Sequence, residues 1–318
     1  MSLKPAVLIL GALCLSVGAA HAQNADKATR LSVAGATMTL NATFSAPVRW
    51  RRGAIDTNAR PKPLTDPSFS WKAGYIWDHP MRGETGGDRD AFPAWTSNVT
   101  AEASPNGDLI ARLGPQRSPI SFAGGLRLTA RPMPPDLAAT VSDSDPRDYI
   151  SGTITSFPYA QTYGVFAMSA KVPRGAGLWP AFWLIPADNS WPPEIDVMEV
   201  VGREPSTVYT TVHTNVPNRE TSIGHGTVTH LDLSAAYHEY AVDWGPERID
   251  WYFDGKLIFS RPTPPDLHKP CYIIANLSVG KPDSWDGAPD AATEFPATMQ
   301  IAYIRAWQRP EYAGAALK

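Results

Sequence analysis

From about Leu40 onward, short runs of apolar and β-branched residues alternate with clusters of Gly, Pro, Asn and Asp. The runs LRLTARPM, YGVFAMSAKVP, TVYTTVHT, YHEYAVDWGP, IDWYFDGKLIFS, CYIIANLSV and MQIAYIRAWQ are each of strand length and bounded by turn residues, which predicts strands. Within WYFDGKLIF the pair Asp254-Gly255 fits a type I′ turn, so this segment reads as a hairpin. Helical periodicity is nearly absent apart from a short turn near LDLSAAYHEY, and there is no internal repeat or low-complexity linker. The pattern predicts one all-β sandwich over residues 39–310. A signal peptide over residues 1–22 and a flexible segment over 23–38 precede it, and a tail over 311–318 follows. The Pro-rich residues 60–71 and the Gly/Asp-rich residues 82–90 read as long loops, where a rigid scaffold usually carries its selectivity.

Composition sharpens this picture. The 31 prolines, 24 glycines and 11 tryptophans combine many turns with many rings suited to the apolar faces of sugars. Net charge is -3 and no basic block stands out, which gives no support for nucleic-acid binding. At the N-terminus Lys4, the apolar stretch PAVLILGALCLSVGAA and Ala20-His21-Ala22 before Gln23 form a secretory signal with its cleavage site. That stretch is shorter than the ~20 residues of a membrane helix. The expected product is a secreted or periplasmic monomer with no membrane association after cleavage. Cleavage removes Cys14 and leaves Cys271 alone, so no internal disulfide can form. Cys271 lies in an apolar run and reads as a small buried hydrophobe.

The segment EIDVMEVVG, Glu194 to Gly202, sets three carboxylates close together. On a helix, Glu194, Asp196 and Glu199 would share no face. On a strand, Glu194 and Asp196 share a face and Glu199 points the other way, unless a one-residue bulge near Val197-Met198 resets the alternation. The bulged strand is then expected to present all three acids to solvent, with Ile195 and Val200 in the core. Adjacent carboxyls disfavour joint ionisation, so one keeps its proton while another stays charged. Such a pair is what cleavage of a glycosidic bond requires. A solvated acidic strand edge is the plain alternative; the flanking tryptophans and prolines favour a site.

The blocks YGVFAMSAKVPRGAGLWPAFWLIP, WPPEIDVMEVVG, YHEYAVDWGPERIDWYFDGK and NLSVGKPDSWDGAPD closely resemble glycoside hydrolase family 16, in its bulged ExDxxE branch. That branch includes laminarinases and bacterial exopolysaccharide glycanases. The resemblance runs from about Ile150 to Gln308. It implies a β-jelly-roll of two curved antiparallel sheets with a concave substrate cleft, and a retaining mechanism that needs no cofactor. It assigns Glu194 as nucleophile, Glu199 as general acid/base and Asp196 as the assisting residue between them. Trp191 matches a tryptophan that stacks on sugar beside the scissile bond. Trp179 and Trp183 are expected at the cleft or, alternatively, in the core. His213 falls where the family often has a histidine near the acid/base, and Asn276 and Trp285 match its late cleft-lining residues.

The departures from the family pattern matter too. Members with a structural calcium commonly carry an acid in the last strand, in the pattern D-Y-[IV]-R. Here IAYIRAW has Ala302 in that place, and NATFSAP replaces the early D-E-F type segment, so no metal is expected. The Glu/Gln-rich segment before the cleft is replaced by GETGGDRDAFPAW, where Arg82 and Arg89 nearby are candidates for contact with an acidic polysaccharide. His238-Glu239 begins like a zincin motif, but Val242 takes the second histidine's place. The expected partner is a polysaccharide and the expected activity endo-hydrolysis of β-1,3- or mixed-linked β-glucan. Open alternatives are a succinoglycan-like exopolysaccharide as substrate, transglycosylation, and a non-catalytic polysaccharide-binding protein.

Overall fold

The computed structural model describes residues 30–46, 59–74, 100–104, 107–138, 147–188, 190–216 and 222–313. The expected signal peptide, the 82–90 loop with Arg82 and Arg89, and the last five residues lie outside the described residues.

Two mainly antiparallel sheets form a jelly-roll sandwich. Strands are numbered in chain order. The larger sheet runs β17 (Lys256–Pro262), β16 (Arg248–Phe253), β15 (His238–Trp244), β10 (Gly164–Lys171), β19 (Ala297–Gln308), β6 (Leu126–Pro132), β7 (Tyr149–Ile150), β4 (Glu102–Ala103). Two further strands flank it: β1 (Thr37–Ala42) pairs with β19, and β5 (Ile120–Ser121) with β6. The smaller sheet runs β14 (Ser222–Val228), β13 (Thr207–His213), β12 (Glu194–Glu199), β11 (Leu178–Pro186), β18 (Cys271–Val279), β8 (Thr153–Thr155), β3 (Lys72–Ala73). A short parallel pair joins β2 (Lys62–Pro63) to β9 (Tyr159–Ala160).

Alternation decides which side chains meet between the sheets. Phe166 and Met168 of β10, Tyr240, Val242 and Trp244 of β15, and Trp251 of β16 enter the main core from one side. Phe182 and Leu184 of β11, Ile195 of β12, Val208 and Val212 of β13, and Ile273 and Ala275 of β18 meet them from the other. Each such large side chain withdrawn from water contributes about 1.5–3 kcal/mol before conformational entropy is subtracted. Cys271 is a free, fully buried thiol whose pKa is raised by that burial, so no disulfide ties the described residues of the sandwich.

The Asp254-Gly255 turn forms as read, with φ of 47° and 73°, both left-handed as a type I′ turn requires. It joins β16 to β17. LDLSAAYHEY forms turns leading into β15. Strand pairing starts before residue 39: Thr37 and Met38 oppose Gln308 and Trp307, and Arg30 bridges to Lys256. A helix over Gly107–Arg117 has no counterpart in the sequence reading. It is broken at Gly114 and carries Pro115, and these two residues hide its period. No described helix is long and apolar enough to cross a membrane.

Candidate active site

The register of β12 is what brings the acids together. Against β11 the pairs are Leu184↔Ile195, Trp183↔Asp196, Phe182↔Met198 and Ala181↔Glu199, so Val197 has no partner of its own. Against β13 the pairing passes from Asp196↔Thr211 to Glu199↔Tyr209, with the irregularity at the same place. Two residues therefore oppose one, the defining feature of a β-bulge. Val197 and Met198 both enter the main core, together with Ile195 and Val200. Glu194, Asp196 and Glu199 are thereby left on the opposite face.

That face carries a built arrangement rather than a solvated edge, which corrects the expectation that all three acids point to solvent. Glu194 is 9% exposed and Asp196 3%, while Glu199 is half-buried. Aromatic residues close over them. Trp191 donates its indole N–H to Glu194 Oε2 at 2.5 Å, and Trp179 donates to Glu199 Oε1 at 2.9 Å. His213 Nε2 lies 3.0 Å from Asp196 Oδ2. The sheet register accounts for these contacts. One row across the sheet runs Asn276, Ala181, Glu199, Tyr209, Gly226, and the next runs Ile274, Trp183, Asp196, Thr211, Gly224. His213 pairs directly with Glu194.

Burial dominates the electrostatics. It raises Glu194 and Asp196 well above the usual carboxylate range, and the charges of Asp196 and Glu199, respectively, add to the effect. The two are hydrogen-bonded to each other, so the pair holds a shared proton. Glu199 is pushed up to about 8, by burial first and by the charge of Glu194 second; the Trp179 N–H acts in the opposite direction. Glu199 is therefore an acid that keeps its proton at neutral pH. Glu194, Asp196 and His213 also bring three donor atoms within 4.8 Å of one another, a set chemically able to receive a divalent cation.

The remaining expected site residues divide into two groups. Trp191 is 58% exposed and Trp285 43% exposed, leaving ring faces free beside Glu194 and beyond Glu199. Trp285 packs edge-on against Trp179 and Tyr209 at 5.5 and 4.8 Å. Trp183 and Asn276 are buried and bonded to each other, indole N–H to Oδ1 at 2.8 Å. Asn276 in turn donates to Ser278 Oγ at 2.9 Å. Trp183 belongs to a smaller apolar cluster on the site face, with Phe157, Ile185, Tyr272 and Ile274. His213 stands opposite Glu194 in the strand pairing and is bonded to Asp196.

Three contributors were missed. Tyr209 follows from alternation, because Tyr209, Thr211 and His213 must share a face. A Cβ at Gly226 would lie 2.9 Å from the Tyr209 ring, so this glycine of β14 gives that ring its seat. Asp286 is fully buried: Oδ1 accepts from Ser284 at 2.6 Å, while Oδ2 has no partner among the described residues. Burial raises Asp286 to about 6, and its charge helps to raise Glu199. Trp251 donates its indole N–H to the Asp196 carbonyl at 2.8 Å from the opposite sheet, a contact with no local sequence signal.

Known proteins resemble this chain in sequence and in fold. Endo-1,3-1,4-beta-glycanase ExsH of Rhizobium meliloti strain 1021 is 39% identical over 235 residues, covering 71% of this chain and 49% of the relative. Endo-1,3-1,4-beta-glycanase EglC of the same organism is 36% identical over 239 residues, covering 74% and 47%. The chain thus spans about half the length of these curated relatives. The laminarinase catalytic domain from Thermotoga maritima MSB8 superposes with a TM-score of 0.59 at 24% identity, covering 86% of this chain and 98% of that one. The sequence model of Glycosyl hydrolases family 16 matches residues 120–305, well over half the chain and the whole of β12. The chain belongs to glycosyl hydrolase family 16.

Proposed function

We propose that this chain is an exported, monomeric, retaining endo-β-glycanase acting on β-1,3- or mixed β-1,3-1,4-glucan. The observation that carries the reading is the pairing on one bulged strand of Glu199, a carboxyl raised to about 8, with Glu194, which shares its proton with Asp196. The names of the two Rhizobium relatives, both endo-1,3-1,4-beta-glycanases, support β-1,3-1,4 linkages as the bonds cut.

In the first step Glu199 gives its proton to the glycosidic oxygen while a Glu194 oxygen attacks the anomeric carbon. The bond to the leaving sugar breaks and a glycosyl ester to Glu194 forms. Asp196, hydrogen-bonded to Glu194, takes up the proton of the pair as the attack begins, so that Glu194 reacts as the carboxylate. In the second step Glu199, now ionised, removes a proton from water as that water attacks the anomeric carbon, and Glu194 departs as carboxylate. Configuration is retained by two inversions, which calls for carboxyl groups roughly 5–5.5 Å apart. Trp191 and Trp285 offer apolar faces to sugar rings on either side of the scissile bond.

A second reading keeps the chemistry and changes the polymer to an acidic, succinoglycan-like exopolysaccharide. The segment GETGGDRDAFPAW, standing where glucanases carry a Glu/Gln-rich stretch, favours it. The test measures reducing-end release from laminarin, barley β-glucan and an acidic exopolysaccharide, for wild type and Glu194→Gln. Wild type should release ends and the variant should lose several orders of magnitude in rate. Cleavage of the exopolysaccharide alone overturns the glucan assignment. Binding without release by either protein overturns the hydrolase.

A further inference from the structure

The bulge that gathers the acids is tied at one point to the opposite sheet. Trp251 lies on β16, pairs with Val242 and Phe259 in its own sheet, and is fully buried. Its ring packs on Phe259 at 5.3 Å. Its indole N–H crosses the core to the backbone carbonyl of Asp196 at 2.8 Å. Asp196 is the last residue paired in regular alternation before the unpartnered Val197. The bond therefore falls where the strand must depart from regular pairing for Glu199 to share a face with Glu194.

We infer that Trp251 is a positioning residue for the reaction: its indole N–H fixes the Asp196 carbonyl and so holds the bulge in the register that places Glu199 beside Glu194. This rests on the retaining-hydrolase reading. A buried carbonyl without a donor is driven to find another one, and the nearest alternative for β12 is regular pairing through residue 197. Restored alternation turns Glu199 to the other face of the sheet, because a one-residue shift reverses every side chain beyond it. Even a partial change separates two groups whose spacing sets the rate, and a displacement of 1 Å can cost roughly 100-fold.

The core supplies its own control. Trp244 on β15 is also fully buried between the sheets, but its Nε1 has no hydrogen-bond partner among the described residues. Trp244→Phe and Trp251→Phe thus remove the same atoms from one core, and only the second removes a bond to β12.

The experiment measures kcat, KM and the pH profile of both variants, their unfolding midpoints, and a crystal structure of Trp251→Phe. Both variants should lose stability. Trp251→Phe alone should lose roughly 10- to 100-fold in kcat, with KM little changed. Its alkaline limb should move to lower pH, because Glu199 loses the neighbouring charge that raises it. Its structure should show Val197 re-paired or Glu199 in more than one position. Should Trp251→Phe fail to fold, a 3-benzothienylalanine at position 251 fills the indole's volume without the N–H and takes its place. Equal kcat in the Trp244 and Trp251 variants, or an unchanged bulge in the crystal, overturns the inference. Should wild type cleave no polysaccharide, the hydrolase reading fails, and the crystal structure still decides whether Trp251 holds the bulge.

Discussion

Trp179 donates its indole N–H to Glu199 Oε1 at 2.9 Å while its ring makes a T-shaped contact with Trp285. This bond stabilises the ionised form of Glu199 and opposes the burial that raises its pKa to about 8. Trp179→Phe keeps an aromatic ring but removes the donor. Glu199 should then hold its proton to higher pH, and the alkaline limb of kcat/KM should move upward from the region of pH 8. A limb that stays in place or moves down rules out this coupling.

In the proposed mechanism Glu199 acts on the leaving group, so its importance should depend on how good that group is. Glu199→Gln should lose roughly 100- to 10000-fold on a polysaccharide, the usual contribution of a general acid. On an aryl glycoside with a strongly acidic phenol, the first step should proceed nearly normally, because the phenolate leaves without a proton. Glu194→Gln should be inactive on both substrates. A pre-steady-state burst of phenol from Glu199→Gln, absent from Glu194→Gln, is the expected signature of the two roles. Equal losses on both substrates for both variants would detach the two acids from these roles.

Sequence alone made the bulge of β12 legible, because three acids spaced as Glu194, Asp196 and Glu199 can share a face only if alternation breaks. The Asp254-Gly255 hairpin was legible because so few residue pairs accept two successive left-handed conformations. What covers the acids was not. Trp191 is a neighbour in the chain, but His213 arrives from the next strand, and its diagonal bond to Asp196 depends on a register no local pattern states. The bond between Trp183 and Asn276 joins strands 93 residues apart. β14 escaped notice because SIGHGTV carries two glycines and exposes most of its side chains, so no hydrophobic period marks it.

His213 bears on Glu194 through charge. Burial and the charge of Asp196 raise Glu194, while the charge of His213 and the bond from Trp191 act to lower it. Removing the imidazole in His213→Asn should therefore raise Glu194 further. Less of it is then ionised at low pH, and the acid limb of kcat should move toward neutrality. A shift of one pH unit corresponds to a tenfold loss at the acidic edge. The alkaline limb, which belongs to Glu199, should stay in place. Movement of both limbs together would place His213 in the coupling between the two glutamates instead of at the nucleophile's end.

Glu102 should shape the pH dependence of stability without taking part in the reaction. It is buried on β4, accepts the Val279 N–H at 2.9 Å and hydrogen-bonds Ser278, which links it through Asn276 to Trp183. Burial raises it from 4.5 to about 7. Between those values the folded chain retains a proton that the unfolded chain has released. The stabilisation is therefore full below pH 4.5 and is lost as pH rises through 7, at a slope of up to about 1.4 kcal/mol per pH unit. Asp286, raised to about 6, and Glu199, raised to about 8, act with the same sign. Urea midpoints should accordingly fall between pH 5 and pH 8. Glu102→Gln keeps an oxygen for Val279 and cannot ionise, so its midpoint should fall less over that range and should exceed wild type at pH 8. A variant whose midpoint declines in parallel with wild type would show that Glu102 does not titrate differently on folding.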